Sequence, residues 1–191
     1  MELRPNSIEG RDVAYHMHGY TNARAHEENG PLVIDRGEGV HVFDTTGKRY
    51  IEGMAGLWSV AVGFNETRLI DAAHRQMQQL PFYHNFAHRS HGPAIDLAEK
   101  LIEMAPAPMS KVFYTNSGSE ANDTNIRMVR TYWAQMGEPE RTVIISRKNA
   151  YHGSSVGSGS LGGMTGMHAQ GGMPIPDIHH IDQPNWYAEG G

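Results

Sequence analysis

The run Tyr114-Thr115-Asn116-Ser117-Gly118-Ser119-Glu120-Ala121-Asn122 has the residue types and the order of an anion seat. A short apolar stretch, Lys111 to Tyr114, leads into a turn of small residues, and an amphipathic helical pattern follows from Ser119 to about Met136. The first N–H groups of a helix lack intrahelical partners, and the helix dipole adds positive potential at that end. Small side chains at Ser117, Gly118 and Ser119 let an oxyanion approach, and the two hydroxyls can donate to it; phosphate is the natural guest. Taken alone, small polar residues ahead of a helix are an ordinary cap and turn. Tyr151 strengthens the phosphate reading because it also follows a strand-like run, Thr142–Ser146. An aromatic ring at a strand end can stack on a planar heterocycle while the phosphate sits at the helix terminus. Without such company Tyr151 would read as a surface tyrosine.

Other aromatic and imidazole groups offer further chemistry. Trp58, in Gly56-Leu57-Trp58-Ser59, reads either as core packing or as a rigid wall of a substrate pocket. Tyr20, Phe82, Tyr83 and Phe86 present the same choice. His84, His88 and His91 are spaced closely enough to suggest a metal. They lie in loop-like sequence between Pro81 and Gly92 without a glutamate at metalloprotease spacing, so no metal site is expected. Neither a dinucleotide fingerprint nor a P-loop is present.

These groups need a scaffold, and the pattern supplies one. A short helix is expected over 8–18 behind Ser7, and a small antiparallel meander from Leu32–Asp35, Val40–Phe43 and Arg49–Ile51. Arg36-Gly37-Glu38-Gly39 and Asp44-Thr45-Thr46-Gly47 read as its turns. Helical spacing joins Ile70, Ala73, Met77 and Leu80, and then Ile95, Ala98, Leu101 and Ile102. The long helix carries a stripe of Ile126, Val129, Trp133 and Met136, widened by Met128 and Tyr132. Strands are expected at Lys111–Tyr114, Thr142–Ser146 and Ile178–Ile181, with a small-residue helix within 153–163. Strands alternating with helices imply a mostly parallel sheet, with ligands beyond the carboxyl ends of its strands. The fold class is therefore α/β. Residues 1–55 are expected to form an N-terminal segment and meander, and 56–191 a larger ligand-binding domain.

Bulk properties exclude several classes. The chain has 191 residues and a net charge of −5, with no basic cluster, which argues against nucleic acid as a partner. Cysteine is absent, so disulfides and thiolate metal sites are unavailable and a reducing cytoplasm fits. Neither a leader nor a membrane span is expected.

The segments Gly56–Gly63, Leu80-Pro81-Phe82-Tyr83, Lys111–Trp133 and Asn149-Ala150-Tyr151-His152-Gly153, in that order, resemble class III aminotransferases, within them the omega-transaminase branch. The similarity runs from about Tyr20 onward. It implies the type I fold of pyridoxal-phosphate enzymes (aspartate-aminotransferase-like), a homodimer and pyridoxal 5'-phosphate as cofactor. It also implies that Gly118 and Ser119, with Ser117, hold the cofactor phosphate, that Tyr151 stacks on the pyridine ring, and that Trp58, Tyr20 and Phe86 line the substrate pocket. The implied substrates are a small-molecule amine or amino acid and a keto acid such as pyruvate. The family's Schiff-base lysine and its acidic partner for the pyridinium nitrogen have no match here. Lys48, Lys100, Lys111 and Lys148 all stand in other contexts, so both groups are expected beyond Gly191 and the chain reads as the N-terminal half, or less, of an enzyme. The alternatives are another type I enzyme, such as a racemase or decarboxylase, and a non-catalytic fragment or binding module.

Overall fold

The computed structural model describes residues 4–189. Residues 1–3 and the last two glycines, on which the expectations about a leader and about the chain's end partly rest, lie outside them. The described residues form two compact units, one up to His91 and one from Gly92 on.

In the first unit, α1 (Ile8–Tyr15) starts behind Ser7, whose Oγ accepts the Gly10 N–H at 3.0 Å. It stops short of the expected His18 because His16 turns extended, with φ −116°. A second helix, α2 (Ala23–Asn29), was not anticipated; Asn22 caps it by accepting the Ala25 N–H, and Gly30 leaves it at φ 70°. The meander follows as β1 (Ile34–Glu38), β2 (His41–Asp44) and β3 (Arg49–Ile51), all antiparallel. Arg36 to Glu38 belong to β1 rather than to a turn, and the reversal falls at Gly39 and Val40. Pairing across to Phe43 explains the difference, since the Arg36 guanidinium lies 3.5 Å over that ring.

Beyond the meander come α3 (Ala55–Trp58) and α4 (Thr67–Gln79). Between them Phe64 exchanges two backbone hydrogen bonds with Gly39. Its ring lies where a side chain on Gly37 would sit, so only glycine fits there. This contact anchors the Trp58-bearing segment to the meander. α4 ends at Gln79, ahead of Pro81, yet none of its residues is buried, so the apolar stripe of Ile70 and Met77 faces solvent.

Asp44 holds the meander's second turn. Its carboxylate accepts from Thr46 Oγ1 (2.6 Å), Tyr50 OH (2.7 Å), Thr46 N–H (2.8 Å) and Lys48 N–H (3.0 Å). The Thr46 and Tyr50 hydroxyls, aided by the two amides, lower its pKa from 3.8 to about 2. The folded value lies below the unfolded one. The carboxylate's stabilisation is therefore complete above the unfolded pKa and is lost as pH falls from about 4 toward 2. Asp44→Asn in the full-length protein should be less stable than wild type at neutral pH, with the difference shrinking through that acid window. Chemical denaturation at several pH values checks this, and a difference that stays constant with pH would contradict it.

The second unit contains α5 (Gly92–Met104), α6 (Gly118–Gln135), β4 (Ile144–Arg147), α7 (Val156–Leu161), α8 (Thr165–His168), β5 (Ile178–Ile181) and α9 (Trp186–Glu189). β4 and β5 pair in parallel, with Ile144 opposite Ile178 and Arg147 opposite Ile181. The expected strand at Lys111–Tyr114 is not a strand here. A strand exists only where a neighbour takes up its N–H and C=O groups, and among the described residues none pairs with this segment. The stripe on α6 is also mostly open. Ile126 is buried, whereas Met128, Val129, Tyr132 and Met136 are exposed. The densest packing surrounds α7, where Ser158 and Ser160 are 0 % exposed and Gly153, Gly159, Gly162 and Gly163 are buried. Small side chains let α7 lie close to α6 and β4. A Cβ at Gly163 would run into the Arg147 carbonyl oxygen.

Candidate functional site

The N-terminus of α6 is built by its own first residues. Ser117, extended at φ −153°, caps the helix, and its Oγ accepts the Glu120 N–H at 3.1 Å. The Ser117 carbonyl takes the Ala121 N–H. Among the described residues the N–H groups of Gly118 and Ser119 have no acceptor. The Glu120 carboxylate folds back onto the Asn116 N–H at 2.8 Å. A side chain added at Gly118 would meet nothing within 4 Å. The sequence motif therefore becomes two free amides beside open space at the positive end of an 18-residue helix.

Three hydrogen bonds fasten the loop after β4 and the first turn of α7 to the start of α6. Ser119 Oγ accepts the Ser154 N–H at 3.0 Å, Asn122 Nδ2 donates to the His152 carbonyl at 2.7 Å, and Asp123 Oδ1 accepts the Ser158 N–H at 2.7 Å. Because Ser119 Oγ accepts from Ser154, its own proton remains available to a ligand. Gly153 has φ +135°, and a Cβ there would strike Ser119 Oγ and Ser158 Oγ. Tyr151 sits in this fastened loop, half exposed at 52 %. Ser117, Gly118, Ser119 and Tyr151 are thus brought into one assembly. The locking roles of Asn122 and Asp123, and the close approach that requires glycine at 153, were not read from the sequence. Their local signal was weak, because polar residues on the second turn of a helix usually face solvent.

A pyridoxal-phosphate group fits this donor set. A dianionic phosphate needs several N–H and O–H donors and no adjacent side-chain bulk, and the helix end offers two amides, the hydroxyl protons of Ser117 and Ser119 and a bare Cα at Gly118.

In the first unit, Tyr20, Trp58 and Phe86 are each at least three-quarters exposed. Trp58 ends a left-handed turn in which Ala55, Gly56, Leu57 and Trp58 all have positive φ, between 49° and 67°. Such a turn costs about 1–2 kcal/mol for each residue other than glycine, so the tryptophan is presented on a strained platform. Tyr20 also has positive φ, 52°. His84, His88 and His91 lie on a segment without helix or strand apart from the start of α5 at Gly92. His84 Nδ1 is taken up by the Phe86 N–H at 3.2 Å. Among the described residues, imidazole and carboxylate groups with metal-ligand proximity come together elsewhere, at Asp12, His16 and His18.

Comparison with known proteins supports this architecture. The family profile Aminotransferase class-III matches residues 22–189. Putrescine–pyruvate aminotransferase of Pseudomonas aeruginosa is 49 % identical over 177 residues, covering 93 % of this chain and 39 % of that protein. The omega transaminase of Pseudomonas jessenii, solved in complex with PMP, superposes with a TM-score of 0.93 at 55 % identity, over 95 % of this chain and 40 % of that one. A thermostable omega-transaminase variant, W58G, engineered for asymmetric synthesis of bulky amines, matches with the same TM-score at 54 % identity, over 95 % of this chain and 40 % of its own. The chain thus spans about two-fifths of the length of these relatives. The two units carry the type I fold of pyridoxal-phosphate enzymes in part, and the chain belongs to the class III aminotransferases.

Proposed function

We propose that the full-length protein is a pyridoxal-phosphate-dependent aminotransferase that moves an amino group from an amine or omega-amino acid to a keto acid such as pyruvate. The observation that carries this reading is the helix end with two free amides, fastened to the loop that bears Tyr151. When bound, the cofactor supplies a ring that stores the electrons of the broken Cα–H bond. The chain's own residues bind and orient. Gly118 and Ser119 would donate amide protons to the phosphate, and the Ser119 and Ser117 hydroxyls would complete its shell. Tyr151 would stack on the ring and exclude water from it.

Trp58, Tyr20 and Phe86 are proposed as walls of the substrate pocket. Trp58 shares type and number with the tryptophan replaced in the variant engineered for bulky amines, which supports a role in limiting substrate size. The proton-transferring lysine and the carboxylate facing the pyridinium nitrogen are proposed to lie beyond Gly191. Residues 1–55 and 56–191 are proposed as parts of the small and large domains of the whole enzyme. A homodimer in the cytoplasm is proposed as its working state. Among the described residues no helix is long and apolar enough to cross a membrane.

Ser119→Ala in the full-length protein should weaken cofactor retention about 10- to 100-fold, the equivalent of one lost hydrogen bond to a charged group. Turnover at saturating cofactor should fall much less. Cofactor release followed by absorbance after dilution checks this, and wild-type retention would contradict the assignment. Dependence of turnover on an added keto acid separates transamination from racemisation or decarboxylation. Product formed without any amino acceptor would exclude the proposed reaction.

A further inference from the structure

α1, the extended segment that follows it and α2 bring together one carboxylate and three imidazoles. Asp12 Oδ1 lies 2.9 Å from His16 Nδ1, and Asp12 Oδ2 lies 2.8 Å from His18 Nε2 and 3.0 Å from His26 Nε2. The rings of His16 and His18 are 4.5 Å apart, and those of His18 and His26 are 4.3 Å apart. His26 and Asp12 are largely shielded, at 12 % and 17 % side-chain exposure, while His18 is at 30 % and His16 at 68 %. Asp12 and His16 meet because they are one helical turn apart. His18 reaches the same carboxylate along the extended exit from α1, and His26 comes across from α2. Neither helix buries a residue, and the Asp12–His26 contact ties the two together.

We propose that Asp12, His16, His18 and His26 form a binding site for a divalent transition-metal ion of the zinc class. Zinc takes four N or O ligands in a tetrahedron at about 2.0–2.1 Å, which places neighbouring donor atoms roughly 3.4 Å apart. His18 Nε2 and His26 Nε2 both lie on Asp12 Oδ2, and these two separations would widen by about half an ångström to reach that spacing, while His16 Nδ1 approaches through Oδ1. The donor atoms of Asp12, His16 and His18 already lie within 4.8 Å of one another. Binding needs no net proton release from neutral imidazoles, because each can carry its proton on the ring nitrogen that faces away from Asp12. Three imidazoles and one carboxylate, without a thiolate, suit Zn2+, Co2+ or Ni2+ rather than a soft monovalent ion. His16, His18 and His26 also line a depression of about 400 Å³ that leaves a route for the ion. The bound ion would pin residues 16–26, the segment that carries Tyr20.

The test uses the tag-free full-length protein, stripped with a chelator and titrated with Zn2+ by calorimetry. One equivalent per subunit is expected, with affinity falling at least about tenfold in His26→Gln and in His16→Gln. Co2+ in place of Zn2+ should give the intense visible bands of a tetrahedral ion. A crystal of the wild-type protein grown with Zn2+ should show an anomalous peak among the four side chains, which decides the matter even where a variant fails to fold. No stoichiometric binding, affinity unchanged in both variants, or a peak elsewhere overturns the proposal and leaves the cluster a set of hydrogen bonds.

Discussion

Gly153→Ala in the full-length protein is expected to unfold several degrees earlier and to purify with little cofactor. Two costs combine. The backbone at φ +135° is open to glycine and closed to almost every other residue, and a Cβ there would collide with Ser119 Oγ and Ser158 Oγ. Strain of about 1–3 kcal/mol adds to overpacking of about 1–3 kcal/mol. Neither serine can yield freely. Ser119 Oγ holds the Ser154 N–H, and the fully buried Ser158 shares a 2.7 Å hydrogen bond with the Ser155 hydroxyl. Relief of the collision would therefore move the helix end that is proposed to grip the phosphate. Gly118→Ala is the informative companion, because its Cβ meets nothing within 4 Å and should leave the melting temperature close to wild type. Thermal unfolding and cofactor absorbance of both variants check the pair. A Gly153→Ala protein with wild-type melting and full cofactor content would refute the proposed coupling.

Asp123→Ala should destabilise the protein by about 0.5–1.5 kcal/mol, the net worth of one hydrogen bond, since the Ser155 side chain still caps the amide that Asp123 accepts from. That amide is the N–H of Ser158, in the first turn of α7, which reaches Asp123 Oδ1 at 2.7 Å. Asp123→Asn keeps an oxygen acceptor and should cost less. A second-site effect follows from the same geometry. A Cβ on Gly157 would come within 2.5 Å of Asp123 Oδ1, so Gly157→Ala should harm the wild-type protein. In the Asp123→Ala background the space is vacant and the same change should cost markedly less. A double-mutant cycle by urea denaturation measures this coupling. Additive effects of the two changes would show that Asp123 does not pack as described.

Some of this was legible from residues alone. Ser7 and Ser117 cap their helices because a hydroxyl one residue ahead of a helical run can reach the amide three residues on, a relation internal to the chain. Local chemistry likewise set the meander, the small-residue helix after Gly153 and the parallel strand Ile178–Ile181. The free amides at Gly118 and Ser119, on which the proposed anion seat rests, were legible for the same reason, since a helix creates them itself. Other features depended on partners distant in sequence. Whether Lys111–Tyr114 is a strand turns on a neighbour to pair with, and apolar spacing on α4 and α6 does not say what will cover it. Ser119, Asn122 and Asp123 fasten α6 to a segment some thirty residues away, and Asp12 gathers His16 and His18 from the exit of α1 and His26 from α2. Periodicity and capping report interactions within one turn of backbone, whereas convergence of side chains across a loop is decided only when the chain closes on itself.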